Sequence, residues 1–125
     1  MGDELAVVDA SAIASLLFGE PQGAEVATAL EDRQLIAPTL LRDELASVCL
    51  KKRQLYPAAK ETLLQALGFL DRLRLREVGV VDRKVIELAE RKHLTYYDAC
   101  YLWLARELEA DLVSLDSRLR EAWEV

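Results

Sequence analysis

The sequence predicts an α/β domain with a largely parallel sheet, on the strength of two observations. Short apolar runs alternate with amphipathic stretches along the chain, which is the order of strands and helices in parallel α/β domains. The runs "LAVV" and "LVSL" are apolar almost throughout, as strands buried on both faces are. The chain has 125 residues, close to the commonest domain size, so we expect residues 1–125 to form a single domain.

The first half of the chain alternates strands and helices. The predicted segments are strand 5–8, helix 12–18, helix 23–32, strand 34–38 and helix 40–54. Gly19 and Pro21 separate the first two helices, because glycine gains flexibility outside a helix and proline lacks the N–H that a helix requires. Pro38 ends the second strand, and Thr39 is the predicted N-cap of the long helix that follows.

The second half continues the alternation. The predicted segments are helix 58–73, strand 75–81, helix 82–93, helix 94–105, strand 111–117, a helical turn at 117–122 and a minimal strand at 123–125. Pro57 suits the first turn of the first of these helices. Thr95 stands three residues before Asp98, the spacing of a capping box. The stretch from Ala99 to Ala105 is apolar on every side, which predicts a helix packed between the sheet and another element.

Composition limits the possible functions. The net charge is −6 and the pI about 4.8, which argues against a nucleic-acid coat protein but not against a nucleic-acid enzyme whose acids a metal neutralises. No apolar run approaches the roughly 20 residues of a membrane span, and "MGDELAVV" lacks a basic signal region, so we expect a cytoplasmic protein. Cys49 and Cys100 are predicted to be buried small hydrophobes, and the single His93 excludes chemistry that needs a histidine pair.

Acidic residues follow two of the predicted strands. Asp9 comes after "LAVV" and Asp116 after "LVSL". Ligands of open parallel sheets bind at the carboxyl ends of the strands, so both acids are predicted to lie on that edge. Asp is also a common turn and cap residue, and that interpretation stays open for each of them.

Two further acids lie on predicted helices. Helical phase turns Asp43 toward water and sets Glu44 at the border of the apolar stripe, where the helix meets the sheet. Asp98 joins the cluster if its helix begins at the carboxyl edge of the sheet. Four carboxylates in one cleft require a compensating charge, for which Mg²⁺ or Mn²⁺ is suited. Such a site supports phosphodiester hydrolysis by metal-activated water.

Four segments carry a family resemblance. In order, "VVDASAIASLL", "PTLLRDELASV", "TYYDACYLWLA" and "LVSLDSRL" resemble the four motifs of PIN domains. They look most like the virulence-associated protein C (VapC) toxins of bacterial and archaeal toxin–antitoxin pairs, and the resemblance covers essentially the whole chain. It implies a three-layer α/β/α fold with a mainly parallel central sheet. It also implies a Mg²⁺- or Mn²⁺-dependent endoribonuclease, a cognate antitoxin protein and a homodimer.

The resemblance assigns the site residue by residue. Asp9, Glu44, Asp98 and Asp116 match the four acids in order, with Asp9 and Asp98 as the first-choice metal ligands. Glu44 and Asp116 complete the cluster as possible ligands. Ser11 matches a hydroxyl beside the first acid and is expected to hydrogen-bond within the site, although an ordinary N-cap is an equally open interpretation.

RNA also requires positive charge, and three basic clusters are candidates: Lys51–Arg53, Arg72–Arg76, and Arg118 with Arg120. Solvated helix faces are the alternative interpretation of each. A solitary RNA-processing nuclease and a non-catalytic metal-binding regulatory domain are the functional alternatives. A receiver domain is disfavoured because no second acid adjoins Asp9, and a haloacid-dehalogenase-type phosphatase because residue 11 is Ser.

Overall fold

The computed structural model describes residues 4–124 and confirms the predicted parallel α/β fold. The strands are β1 Leu5–Val8, β2 Gln34–Pro38, β3 Arg76–Val78 and β4 Asp111–Val113. They form one sheet in the order β3-β2-β1-β4, and all three neighbouring pairs are parallel. The chain order therefore reverses between β1 and β4, which makes the carboxyl edge at these two strands the topological switch point.

Helices cover both faces of the sheet. They are α1 Ala10–Leu17, α2 Gly23–Leu30, α3 Leu41–Leu55, α4 Lys60–Gly68, α5 Asp82–Lys92, α6 Tyr96–Glu107 and α7 Ser117–Glu124. Helices α1 to α4 connect β1 to β2 and β2 to β3, while α5 and α6 belong to the connection that returns from β3 to β4. Because parallel crossovers are right-handed, the two sets cover opposite faces and give the three-layer α/β/α arrangement.

Strand β1 and helix α6 form the centre of the core. Ala6, Val7 and Val8 have no exposed surface. Helix α6 packs on β1, β2 and β4 and against α5, as its apolar sequence predicts, and Tyr101 is the largest of its buried side chains. Cys49 and Cys100 are free and buried, as predicted.

Several element boundaries differ from the prediction. Strands β3 and β4 are shorter than predicted, since they end at Val78 and Val113. The predicted helix 58–73 is divided into a 3₁₀ turn Pro57–Ala59, α4 and a second 3₁₀ turn Phe69–Arg72, with Gly68 ending α4. Glycine is a poor helix former, which explains the break at this position.

Two local predictions are wrong. Trp123 and Glu124 belong to α7 rather than to a last strand, because α7 packs its apolar side on the core; Val125 lies outside the described residues. Thr39 does not cap α3: Leu40 holds the N-cap position, without a side-chain cap bond. The Thr39 backbone N–H instead donates to the Val78 carbonyl at 3.1 Å, which prolongs the pairing of β2 with β3.

Among residues 4–124, no helix combines the length and the apolar character that crossing a membrane requires.

Candidate active site

Asp9 lies at the carboxyl end of β1 and is almost completely buried, with 4% of its surface exposed. It is also the N-cap of α1: its Oδ1 accepts hydrogen bonds from the Ala12 N–H at 3.0 Å and from the Ser11 hydroxyl at 2.7 Å. Its Oδ2 accepts from the Ser114 hydroxyl at 2.5 Å. A carboxylate offers about four lone-pair positions, so three accepted bonds leave one on Oδ2 for a further ligand.

Ser114 is a site residue that the sequence interpretation missed. Val8 pairs with Val113 across the parallel strands, which brings Ser114 level with Asp9. The Ser114 hydroxyl donates to Asp9 and accepts the Asp116 N–H at 3.0 Å. The sequence signal is its position two residues before Asp116, which the predicted strand 111–117 places on the same face, although β4 itself ends at Val113.

The Ser11 hydroxyl joins the two loops of the switch point. It donates to Asp9, accepts the Leu115 N–H at 2.9 Å and lies 3.4 Å from the Ser114 hydroxyl oxygen. The N-cap role belongs to Asp9 instead, since Ser11 lies within the first turn of α1.

Asp116 was predicted to follow its strand directly, and that placement is wrong. Strand β4 ends at Val113, and Asp116 lies three residues further along the chain, with an exposed side chain. Its carboxylate Oδ1 accepts the Leu119 N–H at 3.1 Å and so caps α7. Its charge still reaches the site, where it raises the pKa of both Asp9 and Asp98.

Glu44 lies on the first turn of α3 and is half-buried, whereas Asp43 beside it is exposed, as helical phase predicted. The Tyr101 hydroxyl donates to Glu44 Oε1 at 2.5 Å. Burial raises the pKa of Glu44, the Tyr101 hydrogen bond lowers it, and the charges of Asp98 and Asp9 raise it further; the net direction is upward.

Asp98 is half-buried and lies close enough to the other acids for their charges to influence its pKa. Thr95 is the N-cap of α6, and its hydroxyl accepts the Asp98 N–H at 3.1 Å. Burial raises the pKa of the half-buried Asp98 carboxyl most, followed by the charges of Asp116 and Asp9. The Thr95 hydrogen bond and the positive charge of Arg118 lower that pKa, and the net direction is again upward.

Tyr101 is the second site residue that the sequence interpretation missed. It lies three positions after Asp98 on α6, so both side chains lie on one helix face. It is 1% exposed, and its hydroxyl fixes the orientation of Glu44. The i, i+3 spacing from Asp98 is the signal that could have identified it.

The four predicted acids thus come from four parts of the fold and influence one another's ionisation. The charge of Asp116 raises the pKa of both Asp9 and Asp98. The charge of Asp9 raises the pKa of Glu44 and Asp98, and that of Asp98 raises the pKa of Glu44. Burial is the largest cause of the raised pKa of Asp9, Glu44 and Asp98. Excess negative charge that is partly removed from water is the electrostatic setting that a divalent cation relieves.

The donor atoms fit a hard cation in kind, because they are all carboxylate and hydroxyl oxygens. In the part of the chain between residues 4 and 124, however, no three Asp, Glu, His or Cys side chains could hold a metal ion as they stand. The Asp9 carboxylate is directed at Ser11 and Ser114, and Glu44 at Tyr101. Binding an ion therefore requires side-chain rotation within this cluster.

The predicted basic clusters are spread over several surfaces. Arg118 is close enough to Asp98 to influence its pKa. Lys52 lies 3.8 Å from a Glu20 carboxylate oxygen and over the Phe18 ring, while Arg72 stacks on the Phe69 ring. Lys51 lines a cleft that also contains Glu44.

The fold and the acids at the carboxyl edge of its sheet define a class of protein. It is a parallel α/β/α protein with a cluster of carboxylates at the topological switch point. The family model described as "PIN domain" matches residues 6–124, so the chain belongs to the PIN domain family, a nuclease superfamily. This confirms the family resemblance, while the toxin subtype stays a prediction.

One solved structure illustrates the shared fold. The chain is similar to PAE2754 from Pyrobaculum aerophilum, known from a crystal structure, with a TM-score of 0.69 and 23% sequence identity. The match covers 94% of this chain and 83% of that chain, and at this level of identity it supports the fold alone. A search of curated proteins gave no match.

Proposed function

We propose that this protein is a Mg²⁺- or Mn²⁺-dependent endoribonuclease that acts as the toxin of a toxin–antitoxin pair in the cytoplasm. One observation carries the nuclease part of the proposal. Asp9, Glu44, Asp98 and Asp116 come from separate elements, yet each of the first three has its pKa raised by the charge of at least one of the others. Membership of the PIN domain family supports the same chemistry.

Each acid has a distinct proposed role. Asp9 and Asp98 are the first-choice metal ligands, and Glu44 and Asp116 complete the set, either as ligands or by orienting water. When bound, the cation supplies an activated water and stabilises charge on the phosphate. Asp9 is the most rigid of the four, because two serine hydroxyls and one backbone N–H hold its carboxylate.

The surrounding hydroxyls orient this cluster. Ser11 and Ser114 fix both oxygens of Asp9, and Tyr101 directs Glu44. Supporting hydrogen bonds of this kind orient ligating carboxylates toward a bound ion. RNA then approaches from the carboxyl edge of the sheet, where solvent reaches the exposed Asp116 and the half-buried Asp98.

The nuclease proposal is tested with Asp98→Asn. We expect the purified protein to cleave single-stranded RNA with Mg²⁺ or Mn²⁺ and not with EDTA. The rate of cleavage by the variant should fall by about 10²-fold or more, the scale on which charged groups at an active site act. Its circular dichroism spectrum should be unchanged. Asp82→Asn is the matched control, because Asp82 is an exposed first-turn acid of α5. Equal cleavage by Asp98→Asn and the wild type would exclude this site.

The toxin part rests on the family resemblance and is tested in cells. Expression of the wild type should arrest growth, the Asp98→Asn variant should not, and the product of the neighbouring gene should relieve the arrest. A chain that cleaves RNA but is harmless when expressed alone is a solitary RNA-processing nuclease. A chain that binds Mn²⁺ but does not cleave is a non-catalytic regulatory domain. Sedimentation of the purified protein tests the proposed homodimer.

A further inference from the structure

A cleft adjoins the acidic site and extends from it along α3. Its volume is about 440 Å³, within the range of small-ligand sites. Glu44 lies on its wall, so the cleft opens directly from the acid cluster. Ser47 and Lys51 continue the same wall, because positions three and seven residues after Glu44 share its helix face. Ala10, Leu40 and Val48 give the cleft an apolar floor that rests on the hydrophobic core.

Tyr97 forms part of the cleft and is the residue next to Asp98. Its side chain is 58% exposed, although the following residues of α6 are among the most buried of the protein. An exposed aromatic ring beside an apolar floor offers a stacking surface for a planar group. In proteins that bind single-stranded nucleic acid, successive bases stack on such rings.

Lys51 provides the positive charge of the cleft. It is exposed, and no residue between 4 and 124 forms an ion pair with it, although Asp43 and Glu44 line the same cleft. Lys51 is seven positions after Glu44 on α3, which corresponds to roughly 10 Å along the helix axis. A cation at that distance from the acid cluster is suited to a backbone phosphate beyond the one at the acids.

We propose that this cleft binds the nucleoside adjacent to the scissile phosphate of an RNA strand, with the base stacked on Tyr97 and the next phosphate paired with Lys51. The inference rests on the proposed ribonuclease function and adds to it the two residues that hold the nucleotide next to the scissile phosphate. A base in a duplex is stacked between its neighbours, so only a single-stranded nucleotide can place its base on Tyr97. The subsite therefore requires the strand to be unpaired at this nucleotide.

Steady-state cleavage of a fluorescently labelled single-stranded oligoribonucleotide with Mn²⁺ tests this subsite. We expect Tyr97→Ala to raise KM about 5- to 100-fold, the contribution of one base–aromatic stack, with kcat within about threefold of the wild type. Tyr97→Phe keeps the ring and should restore KM. Lys51→Gln should raise KM and make its salt dependence shallower by roughly one released ion.

Matched controls separate the subsite from general surface effects. Tyr56→Ala removes a tyrosine of nearly equal exposure, 59%, that does not line the cleft, and Lys60→Gln removes an exposed lysine of α4. Both should leave KM unchanged. The Tyr97 and Lys51 variants and these controls are also combined with Asp98→Asn and titrated with the oligonucleotide. Fluorescence anisotropy then measures binding without cleavage.

The outcomes distinguish the two proposals. Unchanged KM in Tyr97→Ala and Lys51→Gln, or a fall in kcat alone, overturns the subsite and leaves the nuclease proposal intact. Binding that depends on Tyr97 and Lys51 without any cleavage supports the subsite and overturns the nuclease. A wild type that neither binds nor cleaves the oligonucleotide overturns both, and equal cleavage of the duplex contradicts the subsite.

Discussion

Asp9 combines an observed structural role with its proposed role as a metal ligand. Its Oδ1 caps α1 through the Ala12 N–H, which is the ordinary role that the sequence left open. The same carboxylate is held by Ser11 and Ser114 and keeps one lone-pair position on Oδ2. Capping and ligation therefore do not compete at this position, because they use different lone pairs of one carboxylate.

Tyr101 provides a test at the scale of one hydrogen bond. Its hydroxyl lowers the pKa of Glu44, so Tyr101→Phe should raise that pKa further above its usual range. Because the proposed mechanism uses ionised Glu44, the acidic limb of kcat/KM against pH should move to higher pH. Loss of the buried bond should also lower the free energy of unfolding by about 1–3 kcal/mol.

The control for this prediction is Tyr56→Phe, which removes an exposed phenol at the C-terminal end of α3, the opposite end from Glu44, and should change neither quantity. An acidic limb at the same pH in Tyr101→Phe and the wild type would show that Glu44 does not need to be ionised for cleavage.

At the scale of elements, the beginning of α6 decides whether Asp98 reaches the site. Thr95 caps this helix and accepts the Asp98 N–H, so the cap fixes the backbone of the residue whose pKa is raised by the charges of Asp116 and Asp9. Thr39 stands at a similar place before α3 but makes no cap bond. The two threonines look alike in the sequence, and only the pairing of Thr39 with Val78 distinguishes them.

This contrast gives a paired prediction. Thr95→Ala should lower the free energy of unfolding by about 1 kcal/mol, the usual contribution of an N-cap side chain. It should also slow cleavage, because the first turn of α6 carries Asp98. Thr39→Ala should change the free energy of unfolding by less than about 0.5 kcal/mol, as exposed substitutions without such a role do. Urea denaturation followed by circular dichroism measures both; similar losses in the two variants would contradict this description of the caps.

At the scale of the whole molecule, the topology gathers residues that are far apart in the sequence. The order β3-β2-β1-β4 places the end of β1 beside the end of β4, so Asp9 and Ser114 meet across 105 positions of sequence separation. The return connection from β3 to β4 carries α6 across the sheet and brings Asp98 to the same edge. The acid cluster is therefore a product of the fold rather than of any one element.

The charge of this cluster predicts how stability depends on pH. Asp9, Glu44 and Asp98 have folded-state pKa values above the ordinary 3.8 for Asp and 4.5 for Glu, so the folded state binds protons more strongly than the unfolded chain. These acids therefore oppose folding increasingly as pH rises from about 4 through their raised pKa values. Asp98→Asn should raise Tm at pH 7 in EDTA, and by less at pH 4.

Divalent metal should relieve the same repulsion. At pH 7, Mn²⁺ at a hundredfold excess over its Kd should stabilise the wild type by about 2.7 kcal/mol, and Asp98→Asn should lose most of this gain. Differential scanning calorimetry with and without EDTA measures both effects. If Mn²⁺ does not change the Tm of the wild type, the proposed ligands are wrong. If Asp98→Asn raises Tm equally at pH 4 and pH 7, repulsion between the ionised acids does not oppose folding.

The sequence by itself determined the alternation of strands and helices, the buried character of β1 and α6, and the family. These follow from local patterns: apolar runs, helical phase and four short motifs whose order can be read along the chain. It also indicated that Glu44 and not Asp43 faces the protein, because the 3.6-residue period of a helix fixes that choice.

Only the tertiary structure decided where the strands end, which threonine caps a helix and which neighbours complete the cluster. The spacings of Ser114 from Asp116 and of Tyr101 from Asp98 point to these two residues but not to their partners, because Asp9 and Glu44 are 105 and 57 positions away. The direction of the first turn of α6 likewise depends on how that helix packs on β1, β2 and β4. Such contacts join distant parts of the chain. Sequence periodicity cannot predict them, because it describes one helix or strand at a time and not how separate elements pack together.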